Sequence, residues 1–252
     1  MAENKFPTEM GDLPSKGWFY DSKNPLANGT IEIKYMTAKE EDILTSANLI
    51  KKGIVFDKLL QALIVDKKIN YDDLLIGDKN AIMVAARILG YGKDYLVEFE
   101  HPDTDELEEV TVNLTALKDK EVNFSKMTKG TNVFEMTLPA SKRVITYKLL
   151  NQKDERMIDA DVKSMKKINS DIDADITTRL KRTILSVDGE SGTQIVNNFV
   201  DNEFLSRDAL YFRTEFVKIT PDIDMTTDVK FSDGSERRVV VPMTPGFFWP
   251  SS

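Results

Sequence analysis

The sequence predicts an α+β fold: an N-terminal helical unit, a β-hairpin-rich middle and a C-terminal helical unit with a terminal hairpin. Apolar residues recur at helical spacing in the first third, alternate with polar residues between 95 and 147, and return to helical spacing after Asn151. These changes predict three modules. They are an extended arm plus the N-terminal helical unit at 1–93, a β-rich module at 94–150, and a helical unit with a C-terminal β-hairpin and an aromatic tail at 151–252.

The first module begins with an extended arm over residues 1–30, in which prolines interrupt helix and glycines supply turns. The alternation at 30–36 predicts a strand. Thr37 and Glu40 then form a capping-box pattern, so a helix should start there and end at Gly53. Five further apolar residues have helical spacing and predict a second helix or a continuation of the first. These residues are Phe56, Leu59, Leu60, Leu63 and Ile64.

Residues 74–91 predict a loop followed by a buried helix. Asp78 is expected to cap the free N–H groups at the start of the helix, and Gly90 to end it in the left-handed conformation. The Gly-Tyr-Gly-Lys run at 90–93 lacks the order of a phosphate-binding loop, because a helix precedes it and a strand follows. We interpret the run as helix termination. The apolar face of this helix is formed by Ile82, Ala85, Ala86 and Leu89.

The middle module is predicted to contain two hairpins. Strands at 96–100 and 110–114 flank an acidic connection. Strands at 133–138 and 143–147 form the second candidate, with a proline near its turn. Alternation of apolar and polar residues gives each strand one face to bury.

The last module is predicted to be largely helical. One apolar face runs over 158–168, another over 176–187, and a further helix is expected within 195–205. Ser206 is expected to cap a final helix that stops before Pro221. The apolar residues of that final helix are Leu210, Phe212, Phe216 and Ile219.

Composition narrows the classes of function. A formal net charge of -8 disfavours a nucleic-acid-binding protein, because phosphate contacts need Lys and Arg. The chain has no cysteine, which excludes disulfides, thiolate zinc sites and a cysteine nucleophile, and His101 is its only histidine. No apolar run approaches the roughly 18 residues of a membrane span, and the first ten residues are too polar for a signal peptide. We therefore predict neither a nucleic-acid partner nor a membrane.

Three charged segments have both a structural and a functional interpretation. The acidic run at 100–106 fits a solvated turn or a hard-cation site. Asp171, Asp173 and Asp175 fit the positive end of a helix dipole or a catalytic carboxylate pair. The basic residues of the following segment fit a solvated helix face or a contact with an acidic protein. They are Lys163, Lys166, Lys167, Arg179, Lys181 and Arg182. We favour the structural interpretation of each, and predict no catalytic, cofactor-binding or metal-binding residue.

Two aromatic runs are the candidate partner-binding residues. Trp18, Phe19 and Tyr20 lie in the irregular arm. The chain closes with an Asp-Gly turn at 233–234, which predicts a hairpin, and then with an aromatic tail. Three adjacent aromatic side chains must be buried somewhere, either in the core of this chain or against a partner. The aromatic residues of the tail are Phe247, Phe248 and Trp249.

Six segments resemble, in the same order along the chain, the T4-type bacteriophage baseplate hub assembly proteins. They are Leu-Pro-Ser-Lys-Gly at 13–17, Met-Thr-Ala-Lys-Glu-Glu-Asp-Ile-Leu-Thr at 36–45, Asn-Leu-Ile-Lys-Lys-Gly at 48–53, residues 74–95, Ser-Val-Asp-Gly at 186–189 and Gly-Phe-Phe-Trp-Pro at 246–250. Because the segments are spread over nearly the whole chain, the set is more specific than any one of them.

The resemblance implies a role in building the hub of a contractile tail's baseplate, and it carries over no catalytic residue. We predict a non-enzymatic assembly chaperone that contacts baseplate hub proteins in the host cytoplasm. One alternative is a structural component retained in the virion baseplate, and a less favoured one is a carboxylate-dependent metal enzyme. Some relatives have a Cys-Pro-x-Cys-Gly pattern where this chain has residues 100–105, so a zinc-ribbon-like site is lost and strand pairing must replace it. The homo-oligomeric state stays open.

Overall fold

The structure is a computed structural model that describes residues 7–101, 103–104, 106–168, 175–243 and 245–249. It confirms the α+β class, because helices alternate with several small antiparallel sheets. Within the described residues, no helix has the length and apolar character needed to cross a membrane.

The helices range from six residues in α2 to seventeen in α5. A π-helical turn, Phe199–Glu203, continues the seventh helix. In chain order the helices are α1 Ala38–Leu44, α2 Ala47–Lys52, α3 Val55–Leu63, α4 Ile76–Tyr91, α5 Gln152–Ile168, α6 Asp175–Thr183, α7 Thr193–Asn198 and α8 Ser206–Ile219.

The strands are also short, and three of them have only two residues. In chain order they are β1 Thr8–Asp12, β2 Thr30–Lys34, β3 Asp94–Glu100, β4 Leu107–Asn113, β5 Lys118–Asp119, β6 Phe134–Thr137, β7 Val144–Tyr147, β8 Ile184–Val187, β9 Glu190–Ser191, β10 Ile223–Asp224, β11 Thr226–Lys230 and β12 Glu236–Val240.

Every strand pairing is antiparallel. Strands β3–β4, β6–β7 and β11–β12 form the three hairpins that the alternation of the sequence predicts. Strand β7 also pairs with β8, and β8 with β9, so β6-β7-β8-β9 is a four-stranded sheet. The arm is not merely extended, because β1 pairs with β2.

The first core cluster combines both ends of the chain. Leu13 and Tyr20 of the arm, Leu59 of α3, and Phe247 and Phe248 of the tail are buried together in it. The inner faces of the β3–β4 and β11–β12 hairpins complete the cluster. Residues far apart in sequence therefore share one core.

The second core cluster is formed by a continuous part of the chain. Ile145 of β7 and Val187 of β8 lie on one face of the four-stranded sheet. They are buried with Phe199 of the π-helical turn and Phe212 of α8. The division into modules at 1–93, 94–150 and 151–252 stays a prediction.

Three residues join the two clusters. Phe134, Phe216 and Ile219 pack against both of them. The ring of Phe134 lies 5.6 Å from that of Phe19 in the first cluster and 5.5 Å from that of Tyr147 in the second. Since aromatic centroids interact favourably at 4.5–7 Å, the two clusters form one continuous packed body.

Two predicted helices are interrupted in the structure. The helix expected to run from Thr37 to Gly53 is divided into α1 and α2, although the Glu40 carboxylate does accept the Thr37 N–H at 3.0 Å as the capping box predicts. The apolar face predicted over 176–187 belongs to α6 and then to strand β8. Val187 of this strand pairs with Ile145, which is distant in sequence, and with Glu190 of the neighbouring β9.

The predicted ends of two helices are wrong by a few residues. Helix α4 begins after Leu75, so Asp78 is its third residue rather than its cap. The helix continues through Gly90 and ends at Gly92, whose φ of +85° only glycine adopts readily. Leu205, not Ser206, occupies the capping position of α8.

Candidate partner-binding surface

The arm carries its aromatic residues directly after a tight turn. Lys16 and Gly17 both have positive φ, at +50° and +72°. A Cβ on Gly17 would lie 2.3 Å from the carbonyl oxygen of Ala27, so glycine is required where the arm crosses the turn at Pro25–Asn28. The turn fixes the direction in which the three aromatic residues enter the fold.

Asp78 fixes the arm to α4. Its carboxylate accepts the Ser15 N–H at 2.9 Å, the Ser15 hydroxyl at 2.7 Å and the Tyr20 hydroxyl at 2.5 Å. The Tyr20 oxygen in turn accepts the N–H of Leu75 at 3.0 Å. All of these groups are buried, and Asp78 has no exposed surface. The residue expected to cap the helix therefore holds another segment against it.

The chemistry of this junction follows from its burial. Burial raises the pKa of the Asp78 carboxyl, although its hydrogen bonds from Tyr20 and Ser15 act in the opposite direction. Burial also raises the pKa of Tyr20 well above its usual value, and the adjacent Asp78 charge adds to this effect. The Tyr20 hydroxyl thus keeps its proton and serves as a donor.

The arm aromatics contact rings of the middle module. Trp18 stacks on Phe124 with a centroid distance of 5.5 Å. Phe19 lies 5.9 Å from the same ring and 5.6 Å from Phe134. Phe19 and Tyr20 are buried, whereas Trp18 is only partly buried. One face of the arm is therefore packed inside this chain, and Trp18 stays accessible.

The tail aromatics contact a different set of rings. Phe247 lies 5.0 Å from Tyr95 on strand β3, and Phe248 lies 5.3 Å from Phe56 on α3. Phe247 and Phe248 have no exposed surface. Trp249, at 6.0 Å from Phe56, is partly buried. Two of the three aromatic rings of the tail are thus buried in the core of the chain.

Helix α8 presents an apolar face to solvent that the sequence interpretation missed. Leu210, one of the apolar residues predicted in the final helix, is 60% exposed, and Val217 is 54% exposed. These two side chains lie seven residues apart and therefore on one side of the helix. The opposite side buries Phe212 and Asp208. Helical spacing in the sequence identified an apolar helix but not which of its apolar residues face the core.

Charged residues flank this outer face. Helical geometry places Arg213 on one side of the Leu210–Val217 line, and Arg207 and Lys218 on the other. Arg207 and Arg213 form no ion pair with any described residue, whereas Lys218 pairs with the adjacent Glu215 on its own helix. The result is an apolar stripe with positively charged borders.

A family model described as T4 bacteriophage base plate protein matches residues 18–249. The chain belongs to this family. Searches of curated proteins and of solved structures found no match. The resemblance inferred from the six sequence segments is therefore confirmed at the level of a T4-type phage baseplate protein.

Several segments of this base plate protein that carried the resemblance have structural roles. Segments 13–17 and 74–95 meet through the hydrogen bonds of Ser15 to Asp78. Segment 186–189 ends in a turn where the Asp188 carboxylate accepts the Val144 N–H at 2.8 Å. The tail segment supplies the two buried phenylalanines, while its last residue, Pro250, lies outside the described residues.

The acidic run at 100–106 forms the end of the β3–β4 hairpin in this base plate protein. The buried ring of His101 packs edge-on against Phe231 at 5.0 Å, with Nε2 3.4 Å from Asp233. In the part of the chain that the structure describes, no group of three potential metal ligands comes together. Pro102 and Asp105 lie outside that part. Seven cross-strand residue pairs connect β3 to β4.

The basic residues of α6 are engaged with acidic residues of the same chain. Asp175 begins the helix, while Asp171 and Asp173 lie outside the described residues. Some of these pairs line an open cavity of about 510 Å³ between α5, α6 and α7. The pairs are Arg179 with Asp175 and Glu155, Arg182 with Asp161, Lys181 with Asp201, and Lys148 with Asp154.

Proposed function

We propose that this base plate protein acts in assembly of the baseplate hub, as a non-enzymatic chaperone that works through protein–protein contacts. The observation that carries the proposal is the base plate family match over residues 18–249. The partners are other hub proteins, met in the host cytoplasm while the tail is being built.

Trp18 and Trp249 are the proposed contact residues. Each is a partly exposed indole supported by a ring beneath it, Trp18 by Phe124 and Trp249 by Phe56. Tryptophan is enriched among the residues that dominate binding energy, because it offers a large rigid surface. The other candidates, Phe19, Tyr20, Phe247 and Phe248, are proposed to act as the buried support that holds the two indoles in place.

Replacement of the two tryptophans tests the contact. We expect Trp18→Ala and Trp249→Ala, singly, to reduce the yield of assembled hubs about tenfold or more when each variant complements a phage that lacks this gene. Met10→Ala is the matched control, because Met10 is an exposed apolar residue of β1. Circular dichroism confirms that each variant is folded. Normal hub yield from both folded tryptophan variants would refute the proposed contact.

A second measurement distinguishes a chaperone from a virion component. We expect quantitative mass spectrometry to find the protein in assembly intermediates from infected cells and to find it absent from, or far below stoichiometric amounts in, purified particles. A constant copy number in mature particles would replace the chaperone role by that of a structural baseplate component.

A further inference from the structure

The outer face of the β3–β4 hairpin is acidic and has apolar residues at its two ends. Leu96 is 49% exposed and Leu107 is 69% exposed. Between them, Glu98 lies directly opposite Glu109, and Glu100 lies opposite Leu107. Like charges directly across an antiparallel pair are destabilising. None of the three glutamates forms an ion pair with any residue that the structure describes, although Arg237 donates to the backbone oxygen of Glu100 at 3.1 Å.

This hairpin face is complementary to the outer face of α8. The helix offers the exposed Leu210 and Val217 between unpaired arginines, and the hairpin offers two exposed leucines beside unpaired glutamates. Leu210 and Val217 are about 10 Å apart along the helix, and Leu96 and Leu107 are separated by about four strand residues, or about 14 Å. The two faces thus carry opposite charges, and each also presents two exposed apolar residues.

We propose that these two faces bind each other between copies of this chain, so that the α8 face of one copy lies on the hairpin face of the next. The charges favour a second copy of this chain as the partner, because one chain carries both the α8 face and the complementary hairpin face. In the proposed arrangement each copy uses its α8 face toward one neighbour and its hairpin face toward another, and such a head-to-tail contact generates a ring where the rotation between copies closes. This inference is independent of the proposed chaperone role.

Two variants of the full-length chain test the proposal, one for each face. Glutamine favours helix and threonine favours strand, so the exposed substitutions preserve the fold while removing charge and apolar surface. Thermal unfolding monitored by circular dichroism verifies this. The helix variant carries Leu210→Gln, Arg213→Gln and Val217→Gln, and the hairpin variant carries Leu96→Thr, Glu98→Thr and Leu107→Thr.

Sedimentation velocity over a range of concentrations gives the result. We expect the unaltered chain to form species larger than a monomer, with a dissociation constant that rises about tenfold between 50 and 500 mM salt. Each variant alone should sediment as a monomer. An equimolar mixture should form a 1:1 dimer and nothing larger, because only one intact pair of faces remains.

Two results would overturn the proposal. The first is an unaltered chain that stays monomeric at every concentration at low salt. The second is that the unaltered chain associates but the equimolar mixture of variants does not form the 1:1 dimer. That result would indicate a symmetric interface, which mixing cannot restore. Loss of hub assembly in the tryptophan variants is measured separately and does not depend on either result.

Discussion

The aromatic tail and helix α8 use apolar side chains in opposite ways. Phe247 and Phe248 are adjacent in sequence and completely buried in the first core cluster. Leu210 and Val217 lie seven residues apart on α8, and more than half of each is exposed. The more conspicuous apolar segment therefore faces inward, and the less conspicuous one faces solvent.

The difference follows from how much apolar surface each segment would expose. A run of aromatic residues at a chain end has a large apolar surface, and burying it stabilises the fold wherever a core is within reach. A single leucine on a charged helix adds little exposed apolar area, so it is compatible with a stable isolated chain. Contact surfaces of this kind are found by exposure and neighbouring charge rather than by aromatic density.

Removal of the tail should have the largest effect on stability. Truncation of residues 245–252 removes two fully buried phenylalanines, each worth about 3–5 kcal/mol, against a total free energy of unfolding of about 5–15 kcal/mol for a typical domain. We expect the truncated chain not to fold, as measured by circular dichroism and urea unfolding. The control is Val240→Thr, at an exposed position of β12. A folded truncated chain that fails to assemble hubs would assign the tail to a partner surface instead.

Loss of the buried carboxylate at the arm junction should come next. Asp78→Ala leaves the Ser15 N–H and the Tyr20 hydroxyl buried without their acceptor, and we expect it to lower the free energy of unfolding by about 3 kcal/mol. Asp42→Ala, at an exposed aspartate of α1, should change the free energy by less than about 0.5 kcal/mol. Equal effects of the two substitutions in urea titrations would show that the junction does not hold the arm.

Two buried aspartates should respond to pH in opposite directions. Burial raises the pKa of Asp78, so the folded chain binds this proton first and the stability of the unaltered chain relative to Asp78→Asn increases as pH falls toward about 4. Burial also acts to raise the pKa of Asp208, but the N–H groups of Ala140 and Ser141 outweigh it and hold the pKa below its usual value. Its contribution is therefore complete above about pH 4 and is lost as pH falls further.

Urea unfolding at pH 7, 5, 4 and 3 measures both differences. The comparison of the unaltered chain with Asp78→Asn should favour the unaltered chain more at pH 4 than at pH 7. The comparison with Asp208→Asn should favour it less at pH 3 than at pH 5. Parallel pH dependences for the two variants would contradict the opposite environments assigned to the two carboxyl groups.

Substitution of the exposed face of α8 should have the smallest effect on the isolated chain. Leu210→Gln and Val217→Gln remove apolar surface that solvent already contacts, so each should change the free energy of unfolding by less than about 0.5 kcal/mol. Urea unfolding at low protein concentration, where any association is minimal, is the measurement. A loss above 2 kcal/mol for either variant would place that side chain in the core.

The sequence predicted the local features of the fold well and the non-local ones poorly. The hairpins, the reach of Glu40 back to Thr37 and the end of the last helix before Pro221 depend on neighbouring residues, and all were confirmed. Strand β8 was predicted as helix, because Ile184 and Val187 have helical spacing. The segment pairs with the distant β7 and with the two-residue strand β9 that follows it, and neither pairing was inferred from its helical spacing.

The candidate surface was predictable in part for the same reason. Aromatic content drew attention to the arm and the tail, but burial depends on where Phe56, Tyr95 and Phe124 lie in space. The role of Asp78 was missed because its position after Gly77 fits a helix cap equally well. Its true partners, Ser15 and Tyr20, precede it by about sixty residues.

The composition of the first core cluster sets the order of events during synthesis. The second cluster draws its buried residues from 138–212, so all of them are synthesised before the aromatic tail. The first cluster needs Leu13 from the beginning of the chain and Phe248 from its end. The arm and α1 to α4 are therefore synthesised early and have an incomplete core until the aromatic tail has been made. If translation of this base plate protein stalls before the tail, or if the tail is cleaved off, apolar surface of the N-terminal half is exposed.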